Sequence, residues 1–285
     1  LREGRVLPLS LNPIDPTGGK TAGGRDLIIP DIHLQWNRAD RIIQHENCDR
    51  VWLLGDYFDD FGDTVAQVEQ ACEWLLGVCE NDRIHRLLGN HDVYYFCDNK
   101  AYRGGGYSRE KHYVIQKHFS PRIIQEKFTL YGRTRGYLLT HAGFTGRWLK
   151  KFSQELIDRH LQAAFQTMLR NEPHPLLDIG ADRGGWNEVG GVTWCDWRNF
   201  KPIAGVPQIV GHTPDKKVRW AGFERLGDLE FNFGHCVAGS LEEEKSSFAL
   251  DEEVSLCLDT GLRHYAVIDE RGVLHVKRTP DEFFP

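Results

Sequence analysis

The chain has 285 residues, 40% hydrophobic and 27% charged, enough to bury one large core, and an α/β protein of this size forms one domain as readily as two. A formal net charge of −6 gives no indication of a nucleic-acid partner, yet it leaves the substrate open because a local basic cleft disappears in such a sum. No apolar run approaches the roughly 18 residues of a membrane span. The 7 cysteines are an odd number without a C-x-x-C pair, and no signal-peptide pattern precedes them, so the expectation is a reduced, cytoplasmic protein with no membrane partner.

Residues 1–25 are rich in Pro, Gly and polar residues with no period of 2 or 3.6, and read as an irregular lead-in to one domain over 26–285. The first apolar run, Leu27, Ile28 and Ile29, is stopped by Pro30 and followed by Asp31, Ile32 and His33. Asn37 is placed to cap a helix through Glu46. Val51 to Leu54 reads as a central buried strand, ended by Gly55 and followed by Asp56 and Asp59. Two β-α-β steps predict a parallel pair with a right-handed crossover, so both loops open on one edge, where open α/β sheets bind ligands. Asp63 or Thr64 can cap the next helix, whose apolar residues Val65, Val68, Ala71, Cys72, Leu75 and Val78 recur at steps of three and four. A third strand, Ile84 to Leu88, ends in Gly89, Asn90, His91 and Asp92.

From Tyr94 to Tyr113 the chain is aromatic and glycine-rich, carries Arg103, Arg109, Lys111 and His112, and reads as a flexible loop at the rim. Phe128 to Tyr131 and Tyr137 to Thr140 read as a hairpin around Gly132 to Gly136, its second strand running into His141. Ser153 to Arg170 is an amphipathic helix, and residues 173–205, with Trp186, Trp194 and Trp197 among glycines, read as a loop-rich insertion near the site. Gln208 to Val210 is a short strand before Gly211, His212, Thr213 and Pro214. Val218 to Ala221, Val254 to Leu258, Tyr265 to Ile268 and Val273 to Val276 read as strands of a second sheet, and Leu241 to Lys245 as a solvated turn.

Among 13 histidines a single D-x-H has little weight, and a lone His such as His141 or His212 is ordinarily a satisfied core or turn residue. The series is what carries information. Asp31 with His33, Asp56 with Asp59, Asn90 with His91 and Asp92, then His141 and His212, each stand directly after a strand-like apolar run. Carboxylate, imidazole and amide oxygen suit borderline metals such as Mn, Fe and Zn, and no thiolate stands at these strand ends. One carboxylate can bridge two such ions with its two oxygens, and Asp56 is central enough to do so.

In that order, D-x-H, G-D-x-x-D, G-N-H-D, a His after a strand and G-H-T-P, the chain resembles the calcineurin-like metallophosphoesterase superfamily from Asp31 to His212. Leu258 to Gly261, reading L-D-T-G, resembles a further segment of its protein-phosphatase-like branch. The resemblance implies an α/β fold of two packed mixed β-sheets flanked by helices, a four-layer αββα sandwich. It also implies hydrolysis of phosphate esters through a hydroxide shared by two metal ions. Carried over residue by residue, Asp31, His33 and Asp56 would bind the first metal, and Asp56, Asn90, His141 and His212 the second. His91 would be the general acid, held by Asp59, with Asp92 as an orienting group. Manganese is the expected metal, with iron or zinc permitted by the ligand types.

Two departures narrow the branch. The chain has Thr213 and Pro214 after His212 and so lacks a second histidine there, as in the protein Ser/Thr phosphatases and the bacterial diadenosine tetraphosphatases. After G-D-x-x-D that branch has Arg-Gly, whereas Asp60 and Phe61 stand here, and an inward Asp60 would repel a dianionic monoester. Arg198, in a stretch that looks like the branch's Trp-containing substrate loop, and Arg103 and Arg109 in the rim are the candidates to bind phosphate instead. Trp194 or Trp197 could stack on a nucleobase. The expected partner is a phosphorylated substrate, an ester or a nucleotide; the alternatives are a dinucleoside polyphosphate hydrolase and a non-catalytic scaffold on the same fold.

Overall fold

The computed structural model describes residues 24–223, 236–240 and 254–284. The lead-in over 1–23 and the turn at Leu241 to Lys245 lie outside the described residues.

Among the described residues, eleven strands form two sheets. The first has the order β11-β10-β1-β2-β3, from β1 (Asp26–Ile29), β2 (Arg50–Leu53), β3 (Ile84–Arg86), β10 (His264–Ile268) and β11 (Leu274–Arg278). Its β1, β2 and β3 are parallel, in the register Leu27↔Val51 and Val51↔Ile84, and β10 runs antiparallel to β1. The second has six strands in the order β4-β5-β6-β9-β7-β8. These are β4 (Tyr131–Thr134), β5 (Tyr137–Thr140), β6 (Gln208–Val210), β7 (Arg219–Phe223), β8 (Cys236–Ser240) and β9 (Ser255–Cys257), with β5, β6 and β9 parallel. Helices α1 (Trp36–Glu46) and α2 (Val65–Cys79) follow β1 and β2 as crossovers; α3 (Asn90–Phe96), α4 (Arg109–His118), α5 (Pro121–Lys127) and α6 (Ile157–Leu169) complete the α-helices.

Side-chain alternation in the short strands divides the core into layers. Leu27, Ile29, Val51 and Leu53 pack with Ile42, Ile43, Val68 and Leu75 of α1 and α2. Their neighbours Ile28 and Trp52 face the other way and meet Tyr137, Leu139, Ile209 and Leu256 of the second sheet. The outer face of that sheet is covered differently. Val210, Cys257 and Ala221 pack under Val189, Cys195, Trp197 and Phe200, so residues of the loop-rich 173–205 stretch cover this face. Buried Asp26 ties the sheets together, accepting from Arg50 Nη2 at 2.9 Å and from Thr134 Oγ1 at 2.8 Å.

The structure corrects several expectations. Tyr265 to Ile268 and Val273 to Val276 join the first sheet as β10 and β11, because β10 pairs with β1 over Asp26↔Ile268. The hairpin turns at Arg135 and Gly136, at φ 48° and 89°, a two-residue turn with both residues left-handed, so its first strand is Tyr131–Thr134. Gly132 is then a strand residue, where an added Cβ would stand 2.2 Å from Trp52 Cζ3. Helix α1 begins one residue before Asn37, with Gln35 at its cap position and no side-chain cap, because the loop from Asp31 to Leu34 sets its start. Thr64, not Asp63, caps α2, in a reciprocal pair with Gln67. The rim stretch is largely helical: α3 runs to Phe96, and Ser108 caps α4 through Lys111 N–H. No helix among the described residues is long and apolar enough to cross a membrane.

Candidate metal and phosphate site

Two groups of three parallel strands, one from each sheet, end on the same cluster. Asp31, Asp56 and Asn90 follow β1, β2 and β3; His141, His212 and Asp259 follow β5, β6 and β9. All six are nearly inaccessible, His212 being the most exposed at 6%. The approach is closest at two glycines. An added Cβ on Gly89 would stand 2.0 Å from Asp56 Oδ1, and one on Gly211 would stand 1.9 Å from Asp31 Oδ1, so the residues before Asn90 and His212 must lack side chains. His33, Asp56, Asp59 and His212 have φ of 42°, 51°, 66° and 71°, left-handed backbone that costs energy in non-glycine residues and here turns each side chain inward.

Asp92 fixes the loops rather than facing the cluster's lone pairs. Fully buried, it accepts the backbone N–H of Asp56 at 2.7 Å, Tyr57 at 3.0 Å and Gly89 at 2.8 Å. Burial, then the charge of Asp56, pushes its pKa up to about 8 against the pull of those N–H groups. Asp31 likewise holds the two sheets together, its oxygens 2.9 and 3.0 Å from His212 N.

Hydrogen-bond partners assign the histidine tautomers. His33 Nδ1 lies 2.8 Å from the Asp59 carbonyl and carries the proton, which turns the Nε2 lone pair toward Asp56 Oδ2 at 3.6 Å and Asp31 Oδ2 at 3.8 Å. His141 Nδ1 donates to the Leu54 carbonyl at 3.0 Å, leaving Nε2 at 3.0 Å from Asn90 Oδ1 and 3.3 Å from Asp56 Oδ2. Asn90 Oδ1 also lies 2.8 Å from His212 Nδ1. The lone pairs of His33 Nε2, His141 Nε2, Asn90 Oδ1 and Asp56 Oδ2 thus converge, and His212 Nε2 is buried there without a partner, an arrangement that neutral groups resist and cations satisfy. The donors are all oxygen and nitrogen, which fits divalent ions of borderline hardness. Protonation is the other way to satisfy them: burial disfavours it, yet Asp56 and Asp31 prevail and raise His33 to about 9 and His141 to about 10.

Two overlapping triads result. His33, Asp56 and His91 bring ligand atoms within 4.8 Å of one another, and so do Asp56, His141 and His212. Asp56 is common to both. Its Oδ1 accepts the His91 N–H at 2.9 Å, and its Oδ2 faces His33 and His141. Beside the first triad, Asp31 Oδ2 lies 3.8 Å from His33 Nε2.

Around His91 lies a network that the sequence shows only in part. Asp59 Oδ2 lies 2.9 Å from His91 Nδ1 and also accepts the Tyr94 hydroxyl, while Oδ1 accepts Tyr95 Oη at 2.9 Å and Lys111 Nζ at 2.8 Å. Lys111 reaches Asp63 Oδ1 as well, at 2.6 Å. Burial would raise the pKa of Asp59, but its bonds to His91 and Lys111 outweigh that and hold it low. Tyr94 and Tyr95 stand three and four residues after His91 on α3, spacing that would have put them on its face had a helix been read there. Lys111 had no sequence signal linking it to Asp59, 52 residues away.

The arginines named from sequence have other partners or are exposed. Arg103 pairs with Asp98 at 2.9 Å and lies over Tyr107; Arg109 opens α4, exposed; Arg198 pairs with Asp196 at 3.0 Å with its side chain 71% exposed. Arg183 carries no signal in the sequence. It pairs with Asp196 at 3.1 Å, and its charge helps to lower the pKa of His212, after burial and His141. Asp60 is exposed and accepts the Phe61 N–H at 2.7 Å. Trp197 is buried, its face stacked on Phe200 at 4.7 Å, and Trp194 stands edge-on to His212 at 5.7 Å; the exposed tryptophan is Trp186.

Two sheets that deliver buried carboxylates and imidazoles from six parallel strands define a hydrolase built to hold cations. The chain belongs to the calcineurin-like phosphoesterase family, whose model matches residues 25–216. It is therefore a metal-dependent phosphoesterase, and the family works with two metal ions. No curated protein matches the chain. Similar solved structures include a metallophosphoesterase from Sphaerobacter thermophilus, 14% identical, covering 90% of this chain and 89% of that one at a TM-score of 0.47. A cold-active protein-tyrosine phosphatase of a psychrophilic Shewanella is 14% identical over 90% and 80% of the two chains, with a TM-score of 0.45. A protein serine/threonine phosphatase from Saccharomyces cerevisiae is 14% identical over 93% and 84%, with a TM-score of 0.41.

Proposed function

We propose that two cations share Asp56, that Asp31 and His33 complete one site, and that Asn90, His141 and His212 complete the other. Manganese is the proposed metal. The observation that carries this reading is Asp56 Oδ2, which lies between His33 Nε2 at 3.6 Å and His141 Nε2 at 3.3 Å. Bound cations there would polarise phosphoryl oxygens and lower the pKa of an attacking water.

The chain's own groups supply the rest. With Nδ1 held by Asp59, His91 offers Nε2 to protonate the oxygen that leaves phosphorus. Lys111, Tyr94 and Tyr95 keep Asp59 ionised and in place, and Asp92 keeps the Asp56 and Asn90 loops in register. Arg183 is better placed than Arg103, Arg109 or Arg198 to receive phosphate oxygens. Residues 26–285 would act as one catalytic domain. A reducing, cytoplasmic setting fits the six described cysteines, all of them buried free thiols.

The test is turnover by metal-stripped protein resupplied with manganese, on nitrophenyl phosphate, bis-nitrophenyl phosphate and a dinucleoside tetraphosphate. Activity that returns with manganese supports the reading, and the preferred substrate separates ester from anhydride hydrolysis. Two bound ions with no turnover on any of them would favour a binding scaffold.

A further inference from the structure

A second basic site lies on the same edge of the first sheet. Because Ile28 pairs with Ala266, continuing that register brings Pro30, just before Asp31, level with His264, and His264 pairs with Arg278. The start of β10 and the end of β11 therefore sit one and two strand spacings from β1, about 5 and 10 Å along the edge that carries the metal cluster. There Arg263, His264, Arg278, Asp281 and Phe284 line a cavity of about 370 Å³, within the range of roughly 300 to 1,000 Å³ of small-molecule sites.

Its charges do not balance. Arg278 pairs with Asp281 at 2.9 Å, but that pair is open to solvent, at 62% and 81% exposure, and is weak. Arg263 is exposed and has no carboxylate partner among the described residues. Arg38, from the first turn of α1, lies over the Phe284 ring at 4.0 Å and donates to the Gly261 carbonyl at 3.2 Å, while its Nε is buried without a partner. Burial, then the charge of Arg263, lowers the pKa of Arg38, so two guanidinium groups share this corner. Gly261 belongs to the L-D-T-G loop, whose Asp259 is packed close enough to Asp31 to feel its charge. The loop thus has the metal cluster on one side and the arginines on the other.

We propose that this cavity is a phosphate subsite, in which Arg263, backed by the charge of Arg38, binds a second phosphate group beside the one being hydrolysed. It rests on the phosphoesterase reading and names the substrate feature that reading leaves open, a second anionic group beside the scissile phosphate. The phosphate is the substrate's own or a free one; a planar guanidinium suits either, with Phe284 as an apolar wall.

Arg263→Gln tests this without disturbing packing, since the side chain is exposed. Its KM for a dinucleoside tetraphosphate should rise about tenfold, the effect of one charge-assisted contact, while nitrophenyl phosphate is hydrolysed as by the wild type. Pyrophosphate titrated calorimetrically into the metal-loaded protein should show two binding events in the wild type and one in Arg263→Gln. Loss of the second event with both KM values unchanged would assign the site to free phosphate. Equal KM values together with identical titrations would overturn the proposal. If the wild type turned over neither substrate, the phosphoesterase reading would fail, and the titration alone would still decide whether the subsite exists.

Discussion

Lys111 Nζ lies 2.8 Å from one oxygen of Asp59 while His91 Nδ1 lies 2.9 Å from the other. The carboxylate therefore joins an ammonium from α4 to the proposed acid on α3, so the orientation of His91 depends on Lys111. Lys111→Met should lower kcat about tenfold on an alkyl phosphate and less on nitrophenyl phosphate, with Lys111→Arg restoring part of the loss. His91→Ala should show the same pattern at roughly 10²- to 10⁴-fold. An equal loss on both substrates would mean that Lys111 acts only on stability.

Asp92→Asn tests the clamp. The amide that replaces one oxygen would face a backbone N–H, leaving a buried donor unsatisfied at a cost of about 1–3 kcal/mol. Melting temperature and manganese affinity should fall together. A variant that melts lower but binds manganese as tightly would separate the clamp from the site.

The strand ends and the order of their polar residues were legible in the sequence because each lies within a few residues of an apolar run. Which sheet a strand joins was not. Tyr265 to Ile268 looks the same whether it pairs with β9 or β1, and only the closed tertiary structure selects β1. The rim is illegible for a related reason: Tyr94, Tyr95 and Phe96 look like loop aromatics until α3 turns the tyrosines onto Asp59 and Phe96 into the core. Arg183 and Lys111 act through partners 13 and 52 residues away, a distance that no local pattern reports.

Gly132→Ala should destabilise the fold by about 1–3 kcal/mol, because its Cβ would meet the Trp52 ring between the sheets. Denaturant unfolding measures this. Trp52→Leu in the same background should recover part of the loss, and no recovery would place the strain elsewhere.

His85 predicts a pH dependence away from the site. Burial, then Arg86 and Arg50, hold its pKa at about 4, while an unfolded chain takes up the proton near about 6.5. Between those values the unfolded state binds more protons, so the His85 contribution is complete above about pH 6.5 and is lost as pH falls toward 4. His85→Phe keeps a ring to stack on Trp52, where the centroids are 4.1 Å apart, but cannot titrate. From about pH 7 to about 4.5 the wild type should lose more melting temperature than His85→Phe. Parallel curves would contradict the assignment.

The most direct test of the shared carboxylate is the metal content and turnover of Asp56→Asn beside the wild type, after stripping and reloading with manganese. The wild type should hold two ions per chain and turn over nitrophenyl phosphate; Asp56→Asn should hold at most one and show no turnover. Two ions with wild-type turnover in Asp56→Asn would contradict an Asp56-bridged centre.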